Sequence, residues 1–204
     1  MKCGILGLTV LALLFGGVGQ AKAEFTITFS QDGNNVEAVG TGTLNLTATD
    51  YAGTNYSGTS AEVNPTRAVV ILESGPQAYD VQDTLGSGPS SFGTGPNVVA
   101  SMGTGLPVGI VGSTEDLLVP HGYTSGDYLS SSATWDNTTI SALGLMPGTY
   151  TWTWGNVSAG TADSFEVIVP SPATAVPEPS ALTLLGIGAV SLVGYGWRRR
   201  RKSA

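Results

Sequence analysis

The sequence of 204 residues is unusually poor in cysteine and histidine. Its single cysteine is Cys3 and its single histidine is His121. One thiol and one imidazole argue strongly against a zinc site of the usual Cys and His composition. Disulfide bonds cannot stabilise the fold either, because a lone cysteine has no partner within the chain.

Basic residues are almost absent from the middle of the chain. All 15 acidic residues lie between positions 24 and 180, where Arg67 is the only basic residue, which gives this stretch a formal charge of −14. Proteins that bind nucleic acids gain much of their affinity from lysine and arginine contacts to phosphates. The composition therefore excludes nucleic acid as an expected partner.

The N-terminus has the pattern of a secretory signal peptide. Lys2 precedes the apolar run Ile5–Val18, and the small residues Ala21 and Ala23 follow it. Small residues at these two positions are typical of a signal-peptidase site. We expect cleavage before Glu24, which would remove residues 1–23 and leave a mature chain without cysteine.

The C-terminus has three consecutive features, the first of which is the motif Pro177, Glu178 and Pro179. An apolar stretch over residues 181–197 follows, and we expect it to form a transmembrane helix, since its length of about 25 Å comes close to the hydrocarbon core. Five basic residues then form a cytoplasmic stop under the positive-inside rule. They are Arg198, Arg199, Arg200, Arg201 and Lys202.

Together these features resemble the PEP-CTERM sorting signal of exported Gram-negative proteins, over Val176–Lys202. The resemblance implies that an exosortase, a membrane-embedded processing enzyme, recognises the tail and removes it near the motif. It also implies contact with inner-membrane lipid before cleavage and a role in the envelope or exopolysaccharide matrix. Two prolines, which lack an amide proton and have a fixed φ, would keep Glu178 in an extended segment.

The residues between the two ends favour an all-β fold. Apolar residues alternate with polar ones in several short segments, and no amphipathic pattern of helix length is found between 24 and 176. The strands are predicted at 24–30, 43–48, 68–72, 98–102, 108–111, 117–119, 149–154 and 164–169, with long connections at 49–66 and 75–97. We expect a single antiparallel β-sandwich, with a jelly-roll-like arrangement as one form of it.

The chain is thus expected to contain five parts. These are a signal peptide (1–23), a β-rich ectodomain (24–169), a proline-rich stalk with the motif (170–180), a transmembrane helix (181–197) and a basic cytoplasmic tail (198–204).

Catalytic motifs are missing from the ectodomain. His121 lies between a proline and a glycine, which favours a turn residue over a member of a Ser-His-Asp triad. We therefore expect no enzyme activity, although carboxylate pairs that meet only in the fold cannot be judged from the sequence.

No cofactor is expected, with one structural calcium ion as the alternative. Acidic clusters occur at Asp32-Gly33-Asn34, at Asp80 with Asp83, and at Glu115-Asp116. Such oxygen ligands suit calcium, but none of the clusters has the spacing of an EF-hand or a calcium-binding repeat.

Three tryptophans and four asparagines complete the candidates. Trp152 and Trp154 alternate along a predicted strand and are expected in the core. A sugar-stacking face formed by Trp135, Trp152 and Trp154 is the alternative reading. Sequons for N-glycosylation occur at Asn45, Asn55, Asn137 and Asn156, where abundant serine and threonine make chance matches common.

The leading hypothesis is a non-enzymatic surface or extracellular matrix protein that is sorted through its tail. A calcium-dependent or carbohydrate-binding adhesion module is the alternative, and a secreted hydrolase is a third reading.

Overall fold

The computed structural model describes residues 24–56, 61–83, 86–171 and 181–200. The chain divides into two compact units, residues 1–170 and residues 171–204. The described strands all lie in the first unit and form two sheets. The second unit contains the helix α1 (Ala181–Arg200).

The first sheet has six strands and contains both ends of the β domain. Its spatial order is β12 (Gly148–Trp154), β13 (Asp163–Val169), β1 (Glu24–Asp32), β2 (Asn35–Thr43), β11 (Tyr128–Trp135) and β8 (Met102–Thr104).

The second sheet has seven strands and is built from the middle of the chain. Its order is β3 (Asp50–Tyr56), β6 (Ala78–Asp83), β10 (Asp116–Pro120), β9 (Val108–Val111), β5 (Val69–Leu72), β4 (Glu62–Asn64) and β7 (Val98–Val99).

Side chains from both sheets pack into one core, so the predicted β-sandwich is confirmed. Phe25 of β1 and Phe165 of β13 lie with their ring centroids 5.3 Å apart, and both are fully buried. Gly40 of β2 faces Leu72 of the other sheet so closely that a β-carbon at Gly40 would lie 2.8 Å from the leucine side chain. Glycine here lets the two layers approach each other. The jelly-roll-like arrangement stays a prediction.

The expectation of a purely antiparallel sandwich is wrong for one strand pair. β1 runs parallel to β13, with Glu24 opposite Ser164 and Thr28 opposite Ile168. β1 also pairs antiparallel with β2, from Phe25 opposite Gly42 onward. The strand β1 therefore lies between β2, its hairpin partner, and β13, the last strand of the domain. The first and last strands of the β domain are thus direct neighbours in one sheet.

Alternation and apolar runs located most of the core strands correctly. β1 starts at the predicted residue, and the hairpin of β12 and β13 covers both predicted segments. β5 lies between β4 and β9 in the middle of its sheet, as its continuous apolar sequence predicts.

Five strands lie where the sequence predicts connections or makes no prediction. β3 and β4 fall within the predicted connection 49–66, and β6 falls within 75–97. β11 was not predicted, and β2 shares only Thr43 with a predicted strand. The strand predicted at 43–48 is wrong, since only Thr43 belongs to a strand there. Leu44 is nevertheless fully buried, because the irregular segment turns its side chain into the core.

The C-terminal helix forms where it was expected but corrects the membrane prediction for residues 181–197. In the described part of the chain, no helix has both the length and the apolar content needed to cross a membrane. Glycines at 186, 188, 194 and 196 lower the hydropathy of the α1 sequence. Its last three residues, Arg198–Arg200, are cations that the prediction placed beyond the helix.

Removing the tail is expected to leave the β domain folded. The last strand ends at Val169 and the first compact unit ends at Pro170, so a chain of residues 24–170 retains every described strand. We expect it to unfold cooperatively in urea, with a midpoint within experimental error of that of the chain 24–204. Loss of the cooperative transition in the shorter chain would contradict this prediction.

Candidate functional site

The predicted sorting residues are only partly within the described structure. Glu24, the expected first residue after cleavage, is the first residue of β1, whereas Ala21 and Ala23 lie outside the described residues. The motif residues Pro177, Glu178 and Pro179 also lie outside them. Of the basic stop, Arg198, Arg199 and Arg200 form the end of α1, and Arg201 and Lys202 lie outside the described residues.

Within the β domain, the clearest polar cluster surrounds Asp80 of β6. Asp80 is opposite the core residue Val119, so its side chain lies on the core side of the sheet, near the open edge formed by β3. The Thr54 hydroxyl donates a hydrogen bond of 2.5 Å to Oδ1 of Asp80. Nδ1 of His121 lies 2.8 Å from the same oxygen, and the backbone amide of Gly122 donates to Oδ2 at 2.9 Å.

These contacts keep the Asp80 carboxyl ionised. Burial by itself would raise the pKa of Asp80, but the hydrogen bonds from Thr54, His121 and Gly122 outweigh it and lower the pKa below its usual value. The charged carboxylate thereby links β3, β6 and the turn after β10.

His121 lies in a turn, as the sequence predicts, and the sequence did not reveal its pairing with Asp80. Its side chain is 61% exposed. In a Ser-His-Asp triad the hydroxyl contacts the ring nitrogen that faces away from the carboxylate. Here the Thr54 hydroxyl lies 3.4 Å from Nδ1, the same nitrogen that contacts Asp80. The cluster therefore has the geometry of a structural link and lacks that of a triad.

Replacing Asp80 by asparagine should destabilise the domain by about 1.5–3 kcal/mol at neutral pH, since hydrogen bonds to a charged group contribute this much. A group whose pKa is lowered by folding stabilises the fold above its unfolded pKa, here about 3.9, and loses that effect as the pH falls through the folded pKa. The stability of the wild type should therefore fall below about pH 4 more steeply than that of Asp80→Asn. Asp32→Asn, in an exposed turn, is the control. Equal pH slopes for wild type and Asp80→Asn would contradict the assignment.

Two of the three acidic clusters proposed for calcium meet in the fold, because Asp83 of one lies beside Asp116 of another. Asp32, Gly33 and Asn34 form the tight turn between β1 and β2, with Gly33 at a φ of +56°. A hydrogen bond with the Asp116 carboxyl, and to a smaller extent burial and the charge of Asp116, raises the pKa of Asp83.

Across the described ranges, no group of three or more His, Cys, Asp and Glu side chains is placed to hold a metal ion. The absence of a cofactor and the alternative of a structural calcium ion both stay predictions.

The three candidate tryptophans lie in the core, which contradicts the sugar-stacking alternative. Trp135, Trp152 and Trp154 are at most 4% exposed. Each indole nitrogen donates to a backbone carbonyl, at Val98, Pro89 and Asn45 respectively. A buried ring with a satisfied N–H is a core residue and presents no face to a sugar.

The sequon asparagines differ in their contacts. The Asn156 side chain accepts from the amides of Ser158 and Ala159, and Asn45 accepts from the amide of Thr47. Asn55 is exposed in β3, and Asn137 is exposed in a left-handed turn at a φ of +53°.

A shallow polar depression of about 160 Å³ is a feature that sequence reasoning missed. It is lined by Asn34, Asn137, Thr138 and Thr139. The Thr138 amide donates to the carbonyl of Asn34 at 2.8 Å, which joins two turns that lie about a hundred residues apart in the chain. No local sequence signal reports such a long-range contact.

Comparison with known protein families matches residues 175–201 to the PEP-CTERM protein-sorting motif. The chain carries a PEP-CTERM sorting signal. This motif supports an exported protein that is sorted to the cell surface through an exosortase. Comparison with curated proteins and with solved structures gave no match. The role of the β-sandwich must therefore be argued from its own residues.

Proposed function

We propose that this PEP-CTERM protein is a non-enzymatic structural component of the cell surface or extracellular matrix, where the β-sandwich associates with exopolysaccharide. The main support for the proposal is the sorting motif at residues 175–201, which begins a few residues after the end of a separate compact β domain. A tail that can be removed without touching a strand suits a protein whose folded part is delivered intact.

Features of the β domain favour a structural role over catalysis. In a Ser-His-Asp triad, the carboxylate and the hydroxyl contact different ring nitrogens of the histidine. Here the Asp80 carboxylate and the Thr54 hydroxyl both lie at Nδ1 of His121. The three tryptophans considered as a sugar-binding platform, Trp135, Trp152 and Trp154, are buried in the core. The strongly acidic, cysteine-free domain suits an extracellular protein whose stability does not depend on disulfides.

Deleting residues 172–204 tests the sorting part of this proposal in a host that has the exosortase. The truncated chain should be exported and folded but should lose retention at the cell surface, as measured by fractionation and by protease accessibility on whole cells. Retention equal to that of the full chain would overturn the sorting role.

Co-sedimentation of the purified β domain with exopolysaccharide from the same host tests the matrix part. Binding should persist in the presence of a calcium chelator, because the proposal assigns no metal to the interaction. Turnover of the polysaccharide would instead support a hydrolase, and absence of binding would remove the matrix role.

A further inference from the structure

Two exposed tyrosines of the edge strand β3, Tyr51 and Tyr56, lie on the same face of their sheet. In a regular strand, residues five positions apart point to opposite faces, but the register of β3 with β6 skips Ala52 and so shifts the alternation by one position. Tyr51 is opposite Gln82 of β6. Tyr56 is opposite Ala78, which is four residues from Gln82 and on the same face of β6.

Both tyrosine rings are exposed and are held by their hydroxyl groups. Tyr51 is 63% exposed, and Tyr56 is 70% exposed. The Tyr51 hydroxyl lies 2.7 Å from the hydroxyl of Thr54. The Tyr56 hydroxyl donates to the carbonyl of Pro76 at 3.3 Å. A ring that is already held in place loses little conformational freedom when a ligand covers it, which favours binding.

Polar groups of the Asp80 cluster lie between the two tyrosines. Thr54 is opposite Asp80 and therefore shares their face. Its hydroxyl contacts the side chains of Tyr51, Asp80 and His121. His121 is 61% exposed and contacts Asp80 through Nδ1, so Nε2 is the ring nitrogen that can bond to a ligand. This surface, which we call the β3 face, thus combines two apolar rings with hydrogen-bonding groups.

A sugar chain has the matching chemistry, since each sugar ring has apolar C–H surfaces and polar hydroxyl groups. Tyrosine suits such a ligand because its ring is apolar and its edge is polar. The partners of Tyr51 and Tyr56 are four residues apart in β6, which places the two tyrosines about 13 Å apart along the strand. That distance exceeds the length of one sugar ring, so the spacing indicates a chain of sugars.

The charge of the β3 face favours a neutral chain over an anionic one. The Asp80 carboxylate contributes a negative charge to it. Arg67, the only basic residue of the sequence between 24 and 197, lies between β4 and β5, toward the other edge of the sheet. An anionic polysaccharide would be repelled by the carboxylate, whereas a neutral one would not.

We propose that the β3 face binds a neutral polysaccharide chain. The rings of Tyr51 and Tyr56 stack against sugar rings, and the side chains of Thr54 and His121 bond to sugar hydroxyls. The inference rests on the proposed association with exopolysaccharide, to which it adds the binding surface and the class of ligand. It is separate from the sugar-stacking alternative for the tryptophans, whose rings are buried.

Isothermal titration calorimetry of the exported protein, purified from its host, tests this assignment. The probe is the exopolysaccharide of the host, separated by anion exchange into a neutral and an anionic fraction. We expect the wild type to bind the neutral fraction, and either Tyr51→Ala or Tyr56→Ala to weaken binding roughly tenfold. Tyr51→Phe should lose less than Tyr51→Ala, because it keeps the ring. Tyr128→Ala removes a tyrosine that is 69% exposed in the other sheet, and this control should bind like the wild type.

The outcomes separate this inference from the proposed function. If the wild type binds neither fraction, the matrix role and the β3 face are both overturned. If Tyr51→Ala and Tyr56→Ala bind the neutral fraction as tightly as the wild type, only the β3 face is overturned and the matrix role stands. Binding to the anionic fraction alone would overturn the class of ligand. A wild-type dimer that Tyr56→Ala converts into a monomer, measured by sedimentation velocity, would make the β3 face a contact between two copies and would also overturn the proposal.

Discussion

Replacing Trp152 by alanine is expected to lower the free energy of unfolding of the β domain by about 3–5 kcal/mol, the usual cost of truncating a buried aromatic side chain. Trp152 is fully buried and packs edge-on against Phe165, with ring centroids 6.3 Å apart. Its indole N–H donates to the carbonyl of Pro89 at 3.1 Å. The side chain therefore links the edge strand β12 to the irregular segment before Phe92.

The neighbouring glycines make this site hard to repack. A β-carbon at Gly112 would lie 2.9 Å from the indole ring, and one at Gly88 would overlap it. At these two glycines the ring faces backbone, which moves less readily than a side chain into the cavity that alanine would leave. The cost should therefore lie at the upper end of the range for such changes.

Urea unfolding of Trp152→Ala beside Tyr128→Ala measures the effect. Tyr128 is 69% exposed in β11, so its truncation should change the free energy of unfolding by less than about 0.5 kcal/mol. Trp152→Phe should give an intermediate loss, because it keeps an aromatic ring but removes the donor to Pro89. A loss below about 1 kcal/mol for Trp152→Ala would mean that the ring is outside the core.

Periodicity predicted β12 and β13, whose inward residues are apolar, and it missed β6, whose inward residues are polar. In β12 and β13 the aromatic and branched residues alternate with polar ones, so the burial pattern is visible in the sequence. In β6 the buried positions are Asp80 and Gln82, which are satisfied by hydroxyl groups of Thr54 and Thr49. Their partners are more than 25 residues away in the chain, so no local pattern reveals them.

Two other missed strands have related causes. β3 is an edge strand whose side chains are exposed or half-exposed, which removes the alternation on which a prediction depends. β11 contains three consecutive serines, and Ser131 is buried because its hydroxyl donates to the carbonyl of Leu106. The parallel pairing of β1 with β13 joins the two ends of the domain. Because the two strands are far apart in the sequence, no local pattern in either of them indicates this pairing.

The match to the sorting motif could be predicted from the sequence, for the opposite reason. It is a linear pattern of a motif, an apolar stretch and a basic end, and recognition of a linear pattern requires no folding. The contact between His121 and Asp80 could not be predicted, since it depends on the register of β6 with β10. Local features are therefore visible in this sequence and long-range ones are not.

Replacing Glu178 by alanine is expected to abolish removal of the tail in a host that carries the exosortase. Glu178 is the only charged residue between Glu166 and Arg198, so an enzyme that recognises charge in this segment has no other residue to use. The flanking Pro177 and Pro179 have no amide proton, which leaves the carboxylate as the distinctive polar group of the motif. Intact-mass analysis should find the full tail in Glu178→Ala and its loss in the wild type.

Matched variants distinguish recognition of the motif from a general effect on the tail. Thr174→Ala changes a residue immediately before the matched segment 175–201 and should be processed like the wild type. Glu178→Gln keeps the size of the side chain and removes its charge, so a block as complete as that of alanine would assign recognition to the charge itself. Normal processing of Glu178→Ala would exclude Glu178 as the recognised residue. A wild-type protein that keeps its full mass beside an active exosortase would contradict processing at this motif altogether.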